Sequence, residues 1–422
     1  MKTPPTIGVI GGSIWGNRGA ESMLVTTIGM VRRKHPDAKF VVFSYLPKKD
    51  RTLITDKSIQ VVSAKPASLV LRIFPFTVLL WFFNLFGIRL PDSLLTNVTR
   101  ALRRCDLLLD ISGVSFVDGR EIFIAFNILT ILPAMMLKIP VVKLAQALGP
   151  FKNPFNRAAA RVYLPRCQHI FSRGDHTSQN LDSIGIKNYS RTADIAFLYQ
   201  PEFSLSVENE EQTSTLLVEL EQVKKTGGRL IAISPSSLVY EKSSKKGDDY
   251  PGRLLNLARE LSTPETHFLF LANSTREGSN KTRNNDLLVV ERLMHRALIS
   301  LSPDDFGKTH WANWDINTAG LRQMIARCDL LVTSRFHGMV SALSLGVPTL
   351  VIGWSHKYAE TMADFEMERF ASDFGDQKVS LVDLAQELLG NDQLIRKQLH
   401  EKLSHVQELS QTQFDYLETL IH

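Results

Sequence analysis

The sequence predicts an α/β protein built of two Rossmann-like, doubly wound domains. Short apolar runs, typical of parallel strands buried on both faces, alternate with amphipathic helical stretches. This alternation occurs twice, separated by a stretch from Gln200 to Gly228 that is rich in Glu, Gln and Ser. The length of 422 residues also exceeds what one hydrophobic core usually supports. We therefore expect a first domain at 1–200, a linker region at 201–228, a second domain at 229–380 and a C-terminal helical tail at 381–422.

The first half begins with a strand that leads through a Gly-rich turn into an amphipathic helix. Its strands are predicted at Thr6–Ile10, Lys39–Ser44, Asp106–Ile111, Pro140–Ala145 and His169–Ser172. Its helices are predicted at Glu21–Lys34, Ser93–Arg104, Ile122–Leu137, Asn156–Leu164 and Thr177–Ile184. The helical stretches carry apolar residues every three or four positions, whereas the strands are nearly continuous apolar runs.

The second half repeats this pattern. Its strands are predicted at Arg229–Ser234, His267–Leu271, Asp329–Thr333 and Thr349–Gly353. Its helices are predicted at Leu254–Leu261, Asp286–Ala297, Thr318–Arg327 and Gly338–Leu345. The pentapeptide RCDLL opens one apolar strand in each half, at 104–108 and at 327–331, which favours a duplicated architecture. Two such domains facing each other form a cleft at the carboxyl ends of their strands, where ligands bind.

Composition and charge exclude some classes of protein. The net charge of +6, from 49 basic and 43 acidic residues, is too small an excess for a dedicated nucleic-acid binder. It suits anionic small molecules or an anionic membrane surface. Three cysteines do not make a disulfide framework, and the sequence shows no secretory signal, so we expect a cytoplasmic protein.

An apolar insert at 68–92 contains the run Ile73–Ile88, which is rich in Phe and Trp. The run is shorter than the roughly 20 residues that a spanning helix requires, so we do not expect it to cross a membrane. Two interpretations stay open. The insert packs on its own domain, or it docks on a bilayer with Trp81 at headgroup depth and places the protein at the inner face of the membrane.

The strongest chemical signal is Ser334-Arg335-Phe336-His337-Gly338, between a predicted strand and a predicted helix. Side chains at such a junction lie at the carboxyl edge of the sheet, beside free N–H groups of the helix N-terminus. Arg335 can bind a carboxylate or phosphate through two parallel hydrogen bonds. His337 can donate or accept a proton near neutral pH. The competing interpretation is a surface arginine and a helix-capping histidine.

Two more cations stand at strand ends. Ser172-Arg173 closes a strand of the first half as Ser334-Arg335 closes one of the second, and Lys357 follows the last predicted strand. Two arginines facing one cleft suit a doubly anionic ligand. Alternatively, Arg173 pairs with Asp175 or Asp182, and Lys357 is an ordinary exposed lysine.

Other polar residues of the first half also lie at strand-to-helix junctions. Asn17 and Glu21 follow the first strand, Asp118 follows the third, and Gln146 follows the fourth. The amide of Gln146 is a candidate for binding an acceptor hydroxyl. The glycine spacing of a dinucleotide or ATP site is missing. The three cysteines each precede a different strand, so no metal site is predicted and no cofactor is expected.

These residues resemble the polysaccharide pyruvyl transferase family from Gly11 to about Asp364. The most specific match is the run SRFHGMVSALSLGVPTLVIGW followed by Lys357, and AQALGPF at Ala145–Phe151 is a second match. The remaining matches are Asn17, Glu21, Asp106–Gly113, Arg173, Ser178, Leu181, Gly185, Asp194 and Phe197. The sequence departs from the family at Ser112-Gly113-Val114, where a glycine triplet is usual, and at Gly19-Ala20-Glu21, where Gly-Asp is usual.

The resemblance implies two Rossmann-type domains in a glycosyltransferase-B-like arrangement. It also implies transfer of a pyruvyl group from phosphoenolpyruvate to two hydroxyls of a sugar in a cell-surface polysaccharide or its lipid-linked precursor. The matched residues Arg173, Arg335 and His337 are implied to bind the donor, and we expect Lys357 to add a third positive charge there. From the chemistry of the donor we expect His337 to act as general acid and base, and Arg335 to stabilise the charge on the departing phosphate. Asn17, Glu21, Asp118 and Gln146 are then candidates for binding the acceptor. The alternatives are a nucleotide-sugar-dependent glycosyltransferase and a non-catalytic sugar-binding protein.

Overall fold

The computed structural model describes residues 4–201, 205, 209–279, 284–353, 356–376 and 379–421. The chain divides into two compact units. The first comprises Met1–Trp15, Ala20–Ser206 and Gln407–His422, and the second comprises Gly16–Gly19 and Val207–Val406. Each unit contains one parallel sheet flanked by helices, which confirms the predicted α/β class with two Rossmann-like domains.

Seven parallel strands form the sheet of the first unit. They are β1 (Thr6–Ile10), β2 (Lys39–Ser44), β3 (Ile59–Ser63), β4 (Leu107–Asp110), β5 (Val141–Gln146), β6 (His169–Arg173) and β7 (Tyr189–Thr192). Their order is β3-β2-β1-β4-β5-β6-β7, so the winding reverses between β1 and β4. The helices are α1 (Arg18–Lys34), α2 (Pro47–Leu53), α3 (Pro66–Ser68), α4 (Phe74–Leu85), α5 (Asn97–Arg103), α6 (Ile124–Leu129), α7 (Leu132–Met136), α8 (Pro154–Tyr163) and α9 (Asp175–Ser183).

Six parallel strands form the sheet of the second unit. They are β8 (Arg229–Ser234), β9 (Thr266–Leu271), β10 (Thr309–Ala312), β11 (Leu330–Thr333), β12 (Thr349–Gly353) and β13 (Ala371–Asp373), in the order β10-β9-β8-β11-β12-β13. The helices are α10 (Glu210–Lys225), α11 (Ser237–Ser244), α12 (Tyr250–Glu260), α13 (Leu287–Ser300), α14 (Pro303–Gly307), α15 (Thr318–Ala326), α16 (Phe336–Ser344), α17 (His356–Ala363), α18 (Leu381–Gly390) and α19 (Asp392–Glu418).

Nearly continuous apolar strands form the centre of each sheet, as their sequences predict. Leu107–Leu109 of β4 and Leu330–Val332 of β11 are fully buried. Strands buried on both faces need helices on both sides, and this is the doubly wound arrangement. The four strands that the sequence did not reveal, β3, β7, β10 and β13, are the edge strands of the two sheets. Edge strands are short and partly exposed, so the apolar signal that marks central strands is weak in them.

The predicted linker at 201–228 is an ordered helix over most of its described part. Residues 202–204 and 206–208 lie outside the described residues, and α10 follows at Glu210–Lys225. Leu216 and Leu220 of α10 are buried in the core of the second unit. Their spacing of four residues places them on one helical face, and the surrounding Glu and Gln residues concealed this pattern.

The C-terminal residues do not form a separate tail. α19 begins in the second unit, but its residues from Gln407 onward belong to the first. There the Gln413 amide donates to the Ala193 carbonyl at 3.1 Å and accepts from the Ala145 N–H at 2.9 Å. Ser410 also donates to the Asp194 carbonyl at 2.9 Å. The last turns of the chain therefore stabilise the segment that follows β7.

Two helical predictions need correction in the first unit. The helix predicted at Ile122–Leu137 is divided into α6 and α7, and Pro133 stands in the first turn of α7. A proline cannot donate the hydrogen bond that would continue the preceding helix. The apolar insert is a continuous helix from Pro66 to Leu85, running through α3, a π-helical turn at Leu69–Ile73 and α4.

This apolar helix is longer than the sequence run indicated. At 20 residues it is long and apolar enough to cross a membrane by length and composition, so the prediction that it is too short was wrong. Only 28% of its most apolar window is buried within the protein. Length and composition alone do not distinguish a spanning helix from a helix that lies on a surface.

Candidate functional site

Arg335 lies where the sequence places it, at the carboxyl end of β11. It is the residue before α16, and its backbone N–H donates to Thr333 Oγ1 at 3.0 Å. Its side chain turns toward the start of α13. There Nη2 donates to the Asp286 carboxylate and to Ser237 Oγ, the latter at 3.1 Å. The strand-to-helix junction thus holds a fixed guanidinium.

Asp286 is the anchor of this arrangement. It is fully buried, and its two oxygens accept hydrogen bonds from the backbone N–H groups of Ser237 at 2.8 Å and Ser274 at 2.9 Å. Burial disfavours the charge of Arg335, but the neighbouring Asp286 carboxylate outweighs it and raises the pKa of the guanidinium above its ordinary value. Arg335 therefore stays charged at any physiological pH.

Two further nitrogen donors belong to residues that lie beside the first turn of α16. Among the described residues, no acceptor bonds to Nε of Arg335 or to Nδ2 of Asn273, although both atoms are buried. A methyl group at Gly338 would lie 3.4 Å from Asn273 Nδ2, so the first turn of α16 and Asn273 are adjacent. That turn carries no acidic residue. We call Asn273, Arg335 and the N-terminus of α16 the donor cluster. Buried N–H donors without acceptors, beside a helix N-terminus, are suited to an anion.

His337 lies in the first turn of α16, one residue beyond Phe336. Its ring stands edge-on to Phe336, with 5.2 Å between ring centroids. Gly19, which belongs to the same unit, packs against it so closely that a methyl group at Gly19 would lie 2.1 Å from His337 Nδ1. The absence of a side chain at Gly19 therefore permits the present position of the imidazole.

Lys357 and Tyr358 lie beside the same turn. Nζ of Lys357 is 4.8 Å from the centroid of the Phe336 ring. The Tyr358 hydroxyl donates to the Ser334 carbonyl at 3.1 Å, and the buried Tyr250 hydroxyl donates to Ser334 Oγ at 2.7 Å. Burial raises the pKa of Tyr250, so it remains a neutral donor. The second unit thus brings together Arg335, His337 and Lys357 as predicted from the sequence.

The N-terminal loop is shaped by Asn17, whose Oδ1 accepts from the Gly19 N–H at 2.9 Å. Arg18 lies 3.4 Å from the Asp315 carboxylate, and its carbonyl accepts from Thr318 Oγ1 at 3.1 Å. These contacts fix residues 16–19 on the second unit. Asn17 therefore positions the glycine that lies against His337, and its acceptor-binding role stays a prediction.

Arg173 ends β6 in the first unit and is also paired. Its Nη1 donates to Asp194 at 2.5 Å and its Nη2 donates to the Gly113 carbonyl at 3.2 Å. The partners proposed as alternatives from the sequence, Asp175 and Asp182, pair instead with Arg191 and Lys187. The donor-binding role of Arg173 stays a prediction.

Two of the remaining acceptor candidates, Asp118 and Gln146, bond to neighbours inside the first unit. Asp118 accepts from the backbone N–H groups of Lys152 at 2.6 Å and Asn153 at 3.1 Å, and it thereby shapes the entry to α8. Gln146 is fully buried, accepts from Ser115 Oγ at 2.9 Å and donates to the Asp110 carbonyl at 3.0 Å. Glu21 is buried in α1. These contacts stabilise the fold, and the acceptor-binding roles stay predictions.

Several residues of these sites were not found from the sequence. They are Asn273, Asp286 and Tyr250 in the second unit, and Lys143, which pairs with Asp110, in the first. Asp286 immediately precedes α13 and follows a polar stretch, so it reads as a helix cap rather than as an arginine partner. Only the structure shows that a residue 49 positions before Arg335 binds it.

Metal-binding residues are not clustered in the described part of the chain. No three His, Cys, Asp or Glu side chains are placed there to hold an ion. The three cysteines are buried, and burial raises the pKa of Cys105 and of Cys167 to about 12, so both are neutral thiols near pH 7. That the protein needs no cofactor stays a prediction.

Comparison with known proteins gives the fold and the family. The chain is 13% identical to a UGT transferase from Siraitia grosvenorii in complex with UDP, with a TM-score of 0.57 over 99% of this chain and 100% of that one. It is 13% identical to a UDP-GlcNAc 2-epimerase from Neisseria meningitidis bound to UDP-GlcNAc, with a TM-score of 0.51 over 98% and 100% of the two chains. At these identities the likeness shows the fold alone, which is glycosyltransferase-B-like.

The sequence comparison is more specific. No curated protein matches the chain significantly. The family profile described as polysaccharide pyruvyl transferase matches residues 17–356, which include Arg173, Arg335 and His337. The chain therefore belongs to the polysaccharide pyruvyl transferase family, a family of transferases.

Proposed function

We propose that the protein transfers the pyruvyl group of phosphoenolpyruvate to two hydroxyls of one sugar, in a cell-surface polysaccharide or its lipid-linked precursor. The donor cluster is the observation that supports this most. Phosphoenolpyruvate carries a carboxylate and a phosphate, and Arg335 Nε and Asn273 Nδ2 are two buried donors placed beside a helix N-terminus. Lys357 adds a cation near the same turn, next to Phe336.

The reaction follows from the chemistry of the donor. A proton adds to the methylene carbon while the first sugar hydroxyl attacks the neighbouring carbon and loses its own proton. The bond from that carbon to the phosphate oxygen then breaks, and inorganic phosphate leaves. The second hydroxyl attacks the same carbon and loses its proton, which closes the ketal. The balance is one diol and one phosphoenolpyruvate giving one ketal and one phosphate.

His337 is the residue we assign to proton transfer. It lies two residues after Arg335 in the first turn of α16, so it and the donor cluster share one strand-to-helix junction. A positioned acid or base of this kind typically contributes about 10²–10⁴-fold to the rate. Arg335, fixed by Asp286, would stabilise the charge that develops on the departing phosphate.

A nucleotide-sugar-dependent glycosyltransferase is the alternative, since proteins of similar fold bind UDP or UDP-GlcNAc. Such a protein needs a carboxylate or a similar acceptor that reaches the ribose. Asp286 is the carboxylate that contacts Arg335, but it is fully buried and bonded to Ser237, Ser274 and Arg335. Asp286 is therefore occupied by these partners and does not serve a ribose. The hydrogen-bond donors around it favour phosphoenolpyruvate over a nucleotide sugar.

Calorimetric titration tests the choice of donor. We expect phosphoenolpyruvate to bind the wild type and to bind the Arg335→Ala variant at least tenfold more weakly, whereas UDP and UDP-GlcNAc bind neither. Phosphate release in the presence of a polysaccharide acceptor then measures turnover. Tight binding of UDP-GlcNAc, with no binding of phosphoenolpyruvate to the folded wild type, would reverse the assignment.

A further inference from the structure

The apolar helix Pro66–Leu85 and the turn after it expose an unusual number of large apolar side chains. Leu71, Leu85 and Phe86 are each more than 60% exposed. We call the whole set the apolar face, which consists of Val70, Leu71, Leu79, Trp81, Phe82, Leu85, Phe86 and Ile88. Isolated exposed apolar residues are ordinary, but a continuous group on one helix marks an interaction surface.

The opposite side of the helix is fixed to the first unit. Leu69, Ile73 and Leu80 are buried, and Leu69 and Ile73 line a small internal cavity together with Phe43 of β2. Arg72 lies in the π-helical turn, and its carbonyl accepts from Thr99 Oγ1 of α5 at 2.8 Å. The helix is therefore a built part of the unit that presents one face outward.

The segment after the helix is fixed as well. Arg103 of α5 donates to the Leu90 carbonyl at 2.7 Å, and Arg100 donates to the Asp92 carbonyl at 2.8 Å. These bonds hold the return of the chain from Phe86 toward α5. The apolar face is thus exposed in the folded unit because its scaffold is held on both sides.

The charged residues around the apolar face indicate the kind of surface that it binds. From Lys65 to Pro91 the sequence contains no acidic residue, whereas Lys65, Arg72 and Arg89 are basic and exposed. An exposed aromatic and aliphatic surface flanked by cations is complementary to an anionic lipid interface. A second copy of the chain would bring two such sets of cations together on one interface, which is electrostatically unfavourable.

We propose that the apolar face docks on an anionic membrane surface, with the helix lying in the interface. The topology excludes a span in the folded unit, because the helix connects β3 to β4 and both strands belong to one sheet. A single crossing would place these strands on opposite sides of the membrane. Trp81, Phe82 and Leu85 enter the acyl boundary, and Lys65, Arg72 and Arg89 contact headgroup phosphates.

Vesicle flotation of the full-length protein tests the proposal without any turnover measurement. We expect the wild type to float with vesicles of phosphatidylcholine and phosphatidylglycerol, and to bind at least tenfold more weakly to phosphatidylcholine alone. Phe82→Ser/Leu85→Ser should reduce binding at least tenfold because it removes inserted apolar surface. The control Leu298→Ser/Ile299→Ser removes two even more exposed apolar residues from α13 and should bind like the wild type.

The electrostatic part has its own variant. Arg72→Glu/Arg89→Glu should lower binding to anionic vesicles by roughly twentyfold or more, since each cation near such a surface contributes about a factor of five. Lys225→Glu/Lys397→Glu changes the net charge equally on the second unit and should have little effect. Brominated acyl chains should quench Trp81, and Trp81→Phe should lose this quenching while it still floats.

Four results would overturn the proposal. They are a folded wild type that does not float, flotation that survives Phe82→Ser/Leu85→Ser, binding that resists alkaline carbonate as a spanning helix does, and a wild-type dimer that the same double substitution dissociates without any lipid binding. The last result would assign the apolar face to a second copy of the chain.

Discussion

The same Ser-Arg dipeptide stands at one strand end in each unit, but its surroundings differ between the units. β6 ends in Ser172-Arg173 and β11 is followed directly by Ser334-Arg335. In both units a buried aspartate binds the arginine, Asp194 to Arg173 and Asp286 to Arg335. In the first unit the second guanidinium nitrogen is also bonded, to the Gly113 carbonyl. In the second unit a single nitrogen of Arg335, Nη2, donates both to Asp286 and to Ser237 Oγ.

The helices after these strands sharpen the contrast. α9 begins with Asp175, an acidic residue that disfavours an anion at its N-terminus, whereas the first turn of α16 has none. α9 also carries the exposed His176, whereas α16 carries His337 packed against Gly19. The same motif therefore precedes an acidic helix start in the first unit and a helix start without acidic residues, which favours an anion, in the second.

The largest expected effect separates the two histidines. His337→Asn should lower turnover by about 10²–10⁴-fold, since it removes the proposed acid and base. Phosphoenolpyruvate should bind as before because the donor cluster is intact. His176→Asn is the matched control on α9 and should leave phosphate release unchanged. A folded His337→Asn protein with near-normal turnover would remove His337 from the mechanism.

The next effect concerns Arg335. Arg335→Ala should weaken phosphoenolpyruvate binding by about 10–100-fold, the value of a charge-assisted contact. It should also lower the free energy of unfolding by about 3–5 kcal/mol, because Asp286 is left buried without its counter-charge.

Arg335→Lys distinguishes these two losses. It keeps a charge beside Asp286 and should recover part of the stability, but little of the affinity, since lysine lacks the planar guanidinium. Calorimetry and chemical denaturation of the two variants measure both quantities. Wild-type affinity in Arg335→Lys would show that charge alone suffices at this position.

Gly19 tests whether the N-terminal loop positions His337. In Gly19→Ala the added methyl would meet the imidazole at 2.1 Å, so the ring must move. Overpacking of this kind typically costs about 1–3 kcal/mol. We expect turnover to fall by about tenfold or more with donor affinity retained. Gly307→Ala, where no atom lies within 4 Å, is the control. Unchanged turnover in Gly19→Ala would mean that catalysis does not require the present ring position.

Arg173 should behave differently from Arg335. Arg173→Ala should also cost about 3–5 kcal/mol of stability, because it leaves Asp194 buried and unpaired. Its effect on phosphoenolpyruvate affinity should stay below tenfold, since both terminal nitrogens already have acceptors in the first unit. If Arg173→Ala weakened phosphoenolpyruvate binding as much as Arg335→Ala does, both arginines would contribute equally to binding. The proposed difference between the units would then be wrong.

The features that could be predicted from the sequence depend on residues that are close together in the chain. Central strands such as Thr6–Ile10 and Arg229–Ser234 were predicted to the residue, because burial on both faces requires a continuous apolar run. The positions of Arg335, His337 and Lys357 were predicted because each lies within four residues of the end of a strand. Their roles in the site stay predictions. α10 was missed because its few buried leucines stand among Glu and Gln.

What the sequence could not reveal depends on contacts between distant positions. Asp286 binds Arg335 across 49 residues, and Gln413 bonds to Ala145 across 268. Asp118 and Gln146 have the residue types of binding groups, but their polar atoms are engaged by neighbours that only the fold brings near. Residue type and strand end therefore predict location, whereas partners decide whether a polar group is available.

The smallest expected effect compares the glycines that follow the two arginines, Gly338 in α16 and Gly174 before α9. In Gly338→Ala the methyl would lie 2.9 Å from Thr333 Oγ1 and 3.4 Å from Asn273 Nδ2, so it should displace Asn273 and weaken phosphoenolpyruvate binding a few-fold. The free energy of unfolding should change by less than about 1 kcal/mol, since alanine favours the helix. Gly174 has φ of 88°, so Gly174→Ala should cost about 1 kcal/mol or more of stability through backbone strain and leave donor affinity unchanged. Calorimetry of the two variants measures their affinity for phosphoenolpyruvate, and chemical denaturation measures their free energy of unfolding. If Gly174→Ala weakened the binding of phosphoenolpyruvate and Gly338→Ala did not, the anion site would lie in the first unit rather than in the second.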